Sequence, residues 1–237
     1  MSTFLLVHGA WHGAWSWHKL VPRLEKLGHG VIAPDLPAMG RDRTPLNRVS
    51  LATWRKHVCE IVDRVPGEIV LVGHSRGGIV VSEVAEHRPG RIRALVYLCA
   101  FLPRDGESLF DLAARDDTSL VPPNMVMSED KSSSTMRDEV LRDAFYGECS
   151  DDDVALARLC VQAEPTLPLA TPVKLSGENF GRVPRVYVEC LRDRAIPLSF
   201  QRLMHGASPC QRVFALDTDH SPFFSRPDEL AALLAGL

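Results

Sequence analysis

The chain has 237 residues, 45% of them hydrophobic, and sets 27 Lys and Arg against 30 Asp and Glu for a net charge of −3. That length suits one well-buried core with a small insertion. The charge balance gives no basic face for nucleic acid or an anionic membrane, and no stretch approaches the roughly 18 uncharged apolar residues of a membrane-spanning helix.

Residues 4–7, Phe-Leu-Leu-Val, read as a short apolar strand that runs into a loop rich in Gly and Trp. Leu20, Val21, Leu24 and Leu27 recur at helical spacing and predict a helix over 17–27, with Ser16 as N-cap and Gly28 just past its end. A strand over 29–33 stops at Pro34-Asp35, and Ser50 is placed to cap a helix over 51–65. The apolar run over 68–72 predicts a third strand, and a helix is expected over 79–87. A further buried strand follows over 92–99. After residue 184 the alternation resumes with strands over 185–191 and 212–216 and helices over 197–205 and 228–234.

This order, with strands that are apolar almost throughout, predicts a largely parallel six-stranded sheet covered by helices on both faces. Residues 102–183 break the pattern. They hold the pair Pro122-Pro123, the polar run 128–134, and amphipathic stretches near 135–145 and 150–162, with no evident strand. The expected organisation is a core of residues 1–101 and 184–237 carrying a helical cap over 102–183, its polar run a flexible loop.

The chemistry centres on Gly73-His74-Ser75-Arg76-Gly77, with Gly78 behind, between a strand and a helix. A serine flanked by glycines at such a corner has the context of a nucleophile elbow: a sharp, strained turn that lifts the hydroxyl above the sheet. A serine hydroxyl needs a general base, and the base needs an orienting carboxylate, here in the chain order Ser, Asp or Glu, His. Asp193, just past the strand over 185–191, is the acid candidate, and His220, after the last strand, is the base candidate. Asp217 is a reserve for the acid, and Asp219 is too close to His220 in sequence to serve its ring well. The backbone N–H of Arg76 and one from the loop after the first strand, assigned to Ala10 beyond the flexible Gly9, are the expected oxyanion donors. The Arg76 side chain has three readings: reaching a substrate carboxylate, bracing the cap, or a surface ion pair.

His12 is expected either to brace the loop that carries Ala10 or to touch substrate. From the cap and its border Phe101, Leu109, Met125, Phe145 and Tyr146 are candidates for an apolar pocket, each equally readable as ordinary core. His8 and His12 lack a third ligand at metal spacing. Six cysteines without C-x-x-C spacing suggest neither zinc nor a disulfide framework. No Gly-rich dinucleotide or phosphate loop follows the first strand, so no cofactor is expected. The chain enters its first strand at Thr3 without a basic leader, which sets a cytoplasmic expectation. A homodimer is the default for such an enzyme.

Taken together, Phe4 to Trp17, Asp35-Leu36 with Gly40, Leu71 to Ser75, Cys149-Ser150 with Leu156-Ala157, Arg185-Val186-Tyr187, Ile196-Pro197 with Phe200-Gln201-Arg202, and Asp219-His220 resemble the α/β-hydrolase superfamily. More narrowly the chain is similar to the plant methylesterase, salicylic acid-binding esterase and hydroxynitrile lyase group and its bacterial relatives. The resemblance implies a cofactor-free α/β fold with a small helical cap over an apolar pocket, and a triad at Ser75, Asp193 and His220. It separates two chemistries at two positions. The lyases carry threonine where Gly9 stands and lysine where Ser221 stands, so Gly9 and Ser221 favour an esterase. The expected activity is serine carboxylesterase action on small hydrophobic aryl or alicyclic esters. The alternatives are a cyanohydrin lyase and a non-catalytic ligand receptor on the same scaffold. Arg76 departs from the small or apolar residue usual after the group's serine.

Overall fold

The structure, a computed structural model, describes residues 1–237. In chain order its first half is β1 (Thr3–Val7), α1 (Leu20–Lys26), β2 (Gly30–Ile32), α2 (Leu51–Arg64), β3 (Ile69–His74), α3 (Gly77–His87) and β4 (Ile92–Leu98). The segment after β4 contributes α4 (Leu109–Ala113), β5 (Met125–Met127), β6 (Ser133–Met136), α5 (Asp138–Phe145), α6 (Asp151–Cys160), β7 (Glu164–Pro165) and α7 (Leu167–Ala170). The chain closes with β8 (Arg185–Cys190), α8 (Leu198–Ala207), β9 (Arg212–Leu216), α9 (Pro222–Ser225) and α10 (Pro227–Ala235). Six strands form one parallel sheet in the order β2-β1-β3-β4-β8-β9.

The strands are apolar on both faces because both faces are covered. Leu5, Val7, Ile69, Leu71, Leu95 and Tyr97 pack on one side with Trp54 of α2, Val81 of α3 and Met204 of α8. Phe4, Leu6, Val70, Val72, Val96 and Val186 pack on the other with Leu20 and Leu24 of α1 and Leu230 and Leu234 of α10. Residues alternate between the two layers as the two-residue period of a strand requires.

Helix α1 begins at Leu20, three residues later than the spacing predicts, and Ala14–Trp17 form a separate 3-10 turn. Pro22 explains the break. In a helix starting at residue 17 its ring would meet the carbonyl one turn back, whereas from Leu20 it falls in the first turn, where no N–H is needed. Ser16 accordingly donates to the Gly13 carbonyl (2.9 Å) and caps nothing. Ser50 does cap α2, in a reciprocal box with Thr53.

The segment over 102–183 is not purely helical. β5, β6 and β7 make a small antiparallel sheet, too short for any periodicity to reveal. Of the polar run over 128–134, residues 128–132 form the turn of the β5–β6 hairpin and Ser133 and Ser134 open β6; the turn is organised by Asp130, whose Oδ1 accepts from the Ser128 and Ser132 hydroxyls and the Ser132 N–H. Leu109, Leu112 and Leu169 of the segment join one core layer, and Leu141 and Phe145 the other.

Candidate active site

Strand β3 continues through Gly73 and His74, paired to Tyr97 and Leu98, so Ser75 is the first residue beyond it. Ser75 has φ +53°, a left-handed conformation that L-residues adopt only when the surroundings impose it. Its backbone is tied on both sides: the Ser75 N–H donates to the Leu98 carbonyl (3.3 Å), and the Ser75 carbonyl accepts from Phe101 N–H (3.1 Å) and Gly78 N–H (3.1 Å). The glycines are sterically required. A Cβ on Gly73 would lie 2.7 Å from a Val81 methyl, one on Gly77 would lie 2.7 Å from the Val7 carbonyl oxygen, and one on Gly78 would overlap the Phe101 carbonyl.

Asp193 lies past the end of β8 and His220 past the end of β9, and the structure brings them together with His220 Nδ1 2.7 Å from Asp193 Oδ2. The other Asp193 oxygen accepts the N–H groups of Ala195 and Ile196, both at 2.8 Å. The carboxylate is thus fixed by backbone before it orients the ring. On its other side His220 lies beside the elbow: its carbonyl accepts from His74 Nε2 (2.9 Å), and its ring centroid is 5.6 Å from that of Phe145. Asp217 points away. Its carboxylate is 74% exposed and pairs with Arg192 at 2.9 Å. Asp219 is buried and structural. Oδ2 accepts the Glu148 N–H (2.8 Å) and the Cys149 thiol (3.3 Å), and Oδ1 accepts the Ser221 N–H (3.1 Å), tying the histidine loop to the turn between α5 and α6.

Ser75 opens into a cavity of about 250 Å³, lined by 19 residues of which 14 are hydrophobic. Ala10 and Arg76 line it too, and neither of their backbone N–H groups donates a hydrogen bond within the protein. Four of the pocket candidates, Phe101, Leu109, Met125 and Phe145, form its wall. Trp11, Phe110, Val121, Leu169, Ile196 and Phe200 are wall residues that sequence reasoning did not single out as lining, since nothing local distinguishes a lining side chain from a core one.

Gly9, His12, Tyr146 and Ser221 stand behind that wall. His12 is almost fully buried, its Nδ1–H donating to the Ala10 carbonyl (2.5 Å) while Nε2 accepts the Tyr146 hydroxyl (2.6 Å). It braces the Ala10 loop against Tyr146, just past α5. Ser221 is fully buried and its hydroxyl has no partner. A Cβ on Gly9 would lie 2.8 Å from His74 Nδ1 and 3.1 Å from Ser75 Cβ, so glycine here leaves room for the elbow.

Arg76 is not at the surface. It is 1% exposed, its Nε lies 2.8 Å from Glu164 Oε1, and its guanidinium carbon sits 4.2 Å from the centre of the Trp54 ring. The Arg76–Glu164 approach is an ionic contact, without the alignment of a hydrogen bond. Burial pulls the Arg76 pKa down and the Glu164 pKa up, while each partner opposes the shift in the other. Glu164 carries no signal in the sequence, because its partner lies on a distant segment.

His74, Cys99 and His220 can each bring a ligand atom within 4.8 Å of the others. They suit a metal poorly, because burial pushes the Cys99 thiol well above its usual range, which keeps it protonated.

Burial also pushes His8, His12 and His74 below the usual histidine range, His12 to about 4. A folded pKa below the unfolded value of about 6.5 means that the unfolded chain binds more protons as pH falls through that window. The stability held by keeping these rings neutral is full above pH 6.5 and is lost toward pH 4, at up to about 1.4 kcal/mol per pH unit for each ring. Glu164, raised by burial, tilts the opposite way, one group against three. The urea midpoint of unfolding is expected to hold from pH 7.5 to about 6.5 and to fall from there to pH 5; a flat profile across that range contradicts the assignment of neutral buried rings.

The sequence profile of the Alpha/beta hydrolase family matches residues 4–233. The chain belongs to that family. Among its relatives, methylesterase 7 of Arabidopsis thaliana is 34% identical over 98% of this chain and 94% of its own length. Against the longer chloroplastic methylesterase 11 of that plant, at 35% identity, the chain spans only 62% of the relative. The α-hydroxynitrile lyase of the same plant is 32% identical over 99% of this chain and 96% of its own length. The crystal structure of polyneuridine aldehyde esterase superposes with a TM-score of 0.90 at 26% identity, covering 100% of this chain and 98% of that one. Within the family, these relatives are carboxylic-ester hydrolases with a hydroxynitrile lyase among them.

Proposed function

We propose that the protein is a serine carboxylesterase acting on small hydrophobic esters through Ser75, His220 and Asp193. The observation that carries the reading is the convergence on one apolar cavity of a strained serine and two unpaired amides, beside a buried Asp–His pair. His220 takes the Ser75 proton as the hydroxyl attacks the ester carbonyl, then returns it to the departing alcohol. Asp193 holds the ring with Nδ1–H toward the carboxylate, leaving Nε2 as the base, and stabilises the imidazolium that forms. The Ala10 and Arg76 amides receive the oxyanion. Water, activated by the same histidine, then releases the acid. The wall formed by Phe101, Phe110, Phe145, Leu169 and Phe200 favours an aryl or alicyclic acyl group.

The lyase reading finds less support. Threonine at residue 9 would force its Cβ against His74, and a lysine ammonium at residue 221 would start from a fully buried position. A panel of methyl, aryl and bulky alicyclic esters with mandelonitrile added tests the proposal. Hydrolysis of the hydrophobic esters is expected, rising about tenfold or more per methylene that fills the cavity, without cyanide release. Cyanide release with inert esters would establish the lyase instead, and binding without turnover across the panel would establish a receptor.

A further inference from the structure

The Arg76 side chain returns to the loop whose amide its own backbone complements. Its Nη2 donates to the Gly9 carbonyl oxygen at 2.9 Å, and His8 Nδ1–H donates to the same oxygen at 2.9 Å. His8 holds that tautomer because its Nε2 accepts the Leu36 N–H (3.2 Å). The Gly9–Ala10 peptide is a rigid plane in which C=O and N–H point in opposite directions. Holding the Gly9 oxygen back on the guanidinium therefore aims the Ala10 N–H forward, to the cavity side.

Glu164 fixes the next peptide. Its Oε2 accepts the Trp11 N–H at 2.9 Å, and Trp11 has φ +61°, a conformation that tryptophan keeps only under constraint. The Trp11 indole donates to the Ser134 carbonyl (3.2 Å), so β6 and β7 of the cap grip this residue together. The Arg76 Nη1 donates to no oxygen, and the guanidinium rests on the Trp54 ring. Its polar contacts are with the loop and the cap, and at 1% exposure even the unpaired Nη1 is closed off from a substrate carboxylate.

We propose that the buried Arg76–Glu164 pair is the positioning device of the oxyanion hole. Arg76 sets one donor through the Gly9–Ala10 peptide and supplies the other from its own backbone, and Glu164 locks the loop to the cap. The inference rests on the esterase reading above. Charge suits the task, because charge-assisted bonds in a dry interior hold a carbonyl more firmly than neutral ones.

The test is the double variant Arg76→Met/Glu164→Met, since apolar replacement of both members of a buried pair generally preserves a fold that losing one member would break. Four quantities are measured against wild type: the thermal midpoint, kcat and KM on p-nitrophenyl butyrate, and affinity for an alkyl trifluoromethyl ketone and for its methyl ketone analogue. The first ketone forms an oxyanion on Ser75, and the second binds without addition. The expected result is a midpoint and KM close to wild type, with kcat lower by about tenfold to a hundredfold, a misaimed donor costing less than one removed. Trifluoromethyl ketone affinity should weaken by the same factor, and methyl ketone affinity should hold.

Unchanged kcat in the folded variant overturns the proposal. So does a joint loss in which midpoint, kcat and both ketone affinities fall while KM rises, which would mark the pair as scaffold only. If the double variant does not fold, Arg76→Lys decides by the same criteria, because one ammonium can meet Glu164 but lacks the second branch to the Gly9 oxygen. If wild type proves inert to esters and ketones alike, the esterase reading fails separately. The backbone amide NMR shift of Ala10 then judges the positioning: moved in the variant supports it, unchanged overturns it.

Discussion

Replacing Ser75 by Ala is expected to remove ester turnover by a factor on the order of 10⁵ to 10⁶, the scale seen when a triad serine is lost. The remaining catalysis would come from the oxyanion donors and the cavity alone. The fold should survive. Ser75 is held by its backbone, through bonds to Leu98, Phe101 and Gly78 that alanine keeps, and no structural hydrogen bond of its hydroxyl contributes to them. Alanine and serine would carry the same left-handed φ, so the strain is unchanged. Progress curves on a hydrophobic p-nitrophenyl ester, with a thermal melt on the same sample, check both halves. Activity retained in a folded Ser75→Ala variant removes the serine from the mechanism.

Replacing Asp193 by Asn is expected to lower kcat by about 10⁴. One oxygen of Asp193 accepts from the Ala195 and Ile196 amides, and the other faces His220 Nδ1. An asparagine can keep its carbonyl on the two amides only by turning its NH₂ toward the ring. Nδ1 must then be the acceptor and Nε2 the donor, which is the wrong tautomer for a base. The matching change Asp217→Asn touches only an exposed pair with Arg192, and such pairs contribute little. It is expected to leave kcat within about twofold. Equal losses from the two variants would reopen the choice of acid between Asp193 and Asp217, and kcat against pH for both, from pH 5 to 9, separates a wrong tautomer from a shifted base.

The parts of the site that follow chain order are legible in the sequence. A serine between glycines after an apolar run, an aspartate past a later strand and a histidine past the last one are all local signals, and a parallel sheet delivers strand ends to one edge. Local chemistry also favours Gly9 and Ala10. What stays hidden depends on pairs distant in sequence and on very short elements. Arg76 is conspicuous beside the serine, but its partner Glu164 sits in the two-residue strand β7, where no pattern marks it. The small sheet β5-β6-β7 is hidden for the same reason: strands of two to four residues have no periodicity to read. His12 reads two ways in the sequence, and only the hydroxyl of Tyr146 on one ring nitrogen and the Ala10 carbonyl on the other assign it to bracing. Asp219, too near His220 to orient its ring, ties that histidine's loop to the turn between α5 and α6 instead.

The most direct test of the central claim is covalent. A p-nitrophenyl alkylphosphonate transfers its phosphonyl group to an activated serine with loss of p-nitrophenol. The account predicts one equivalent of label, located by peptide mass spectrometry at Ser75, with ester turnover lost in proportion. Turnover that persists in unlabelled protein, or that is lost with the label on another residue, would contradict it.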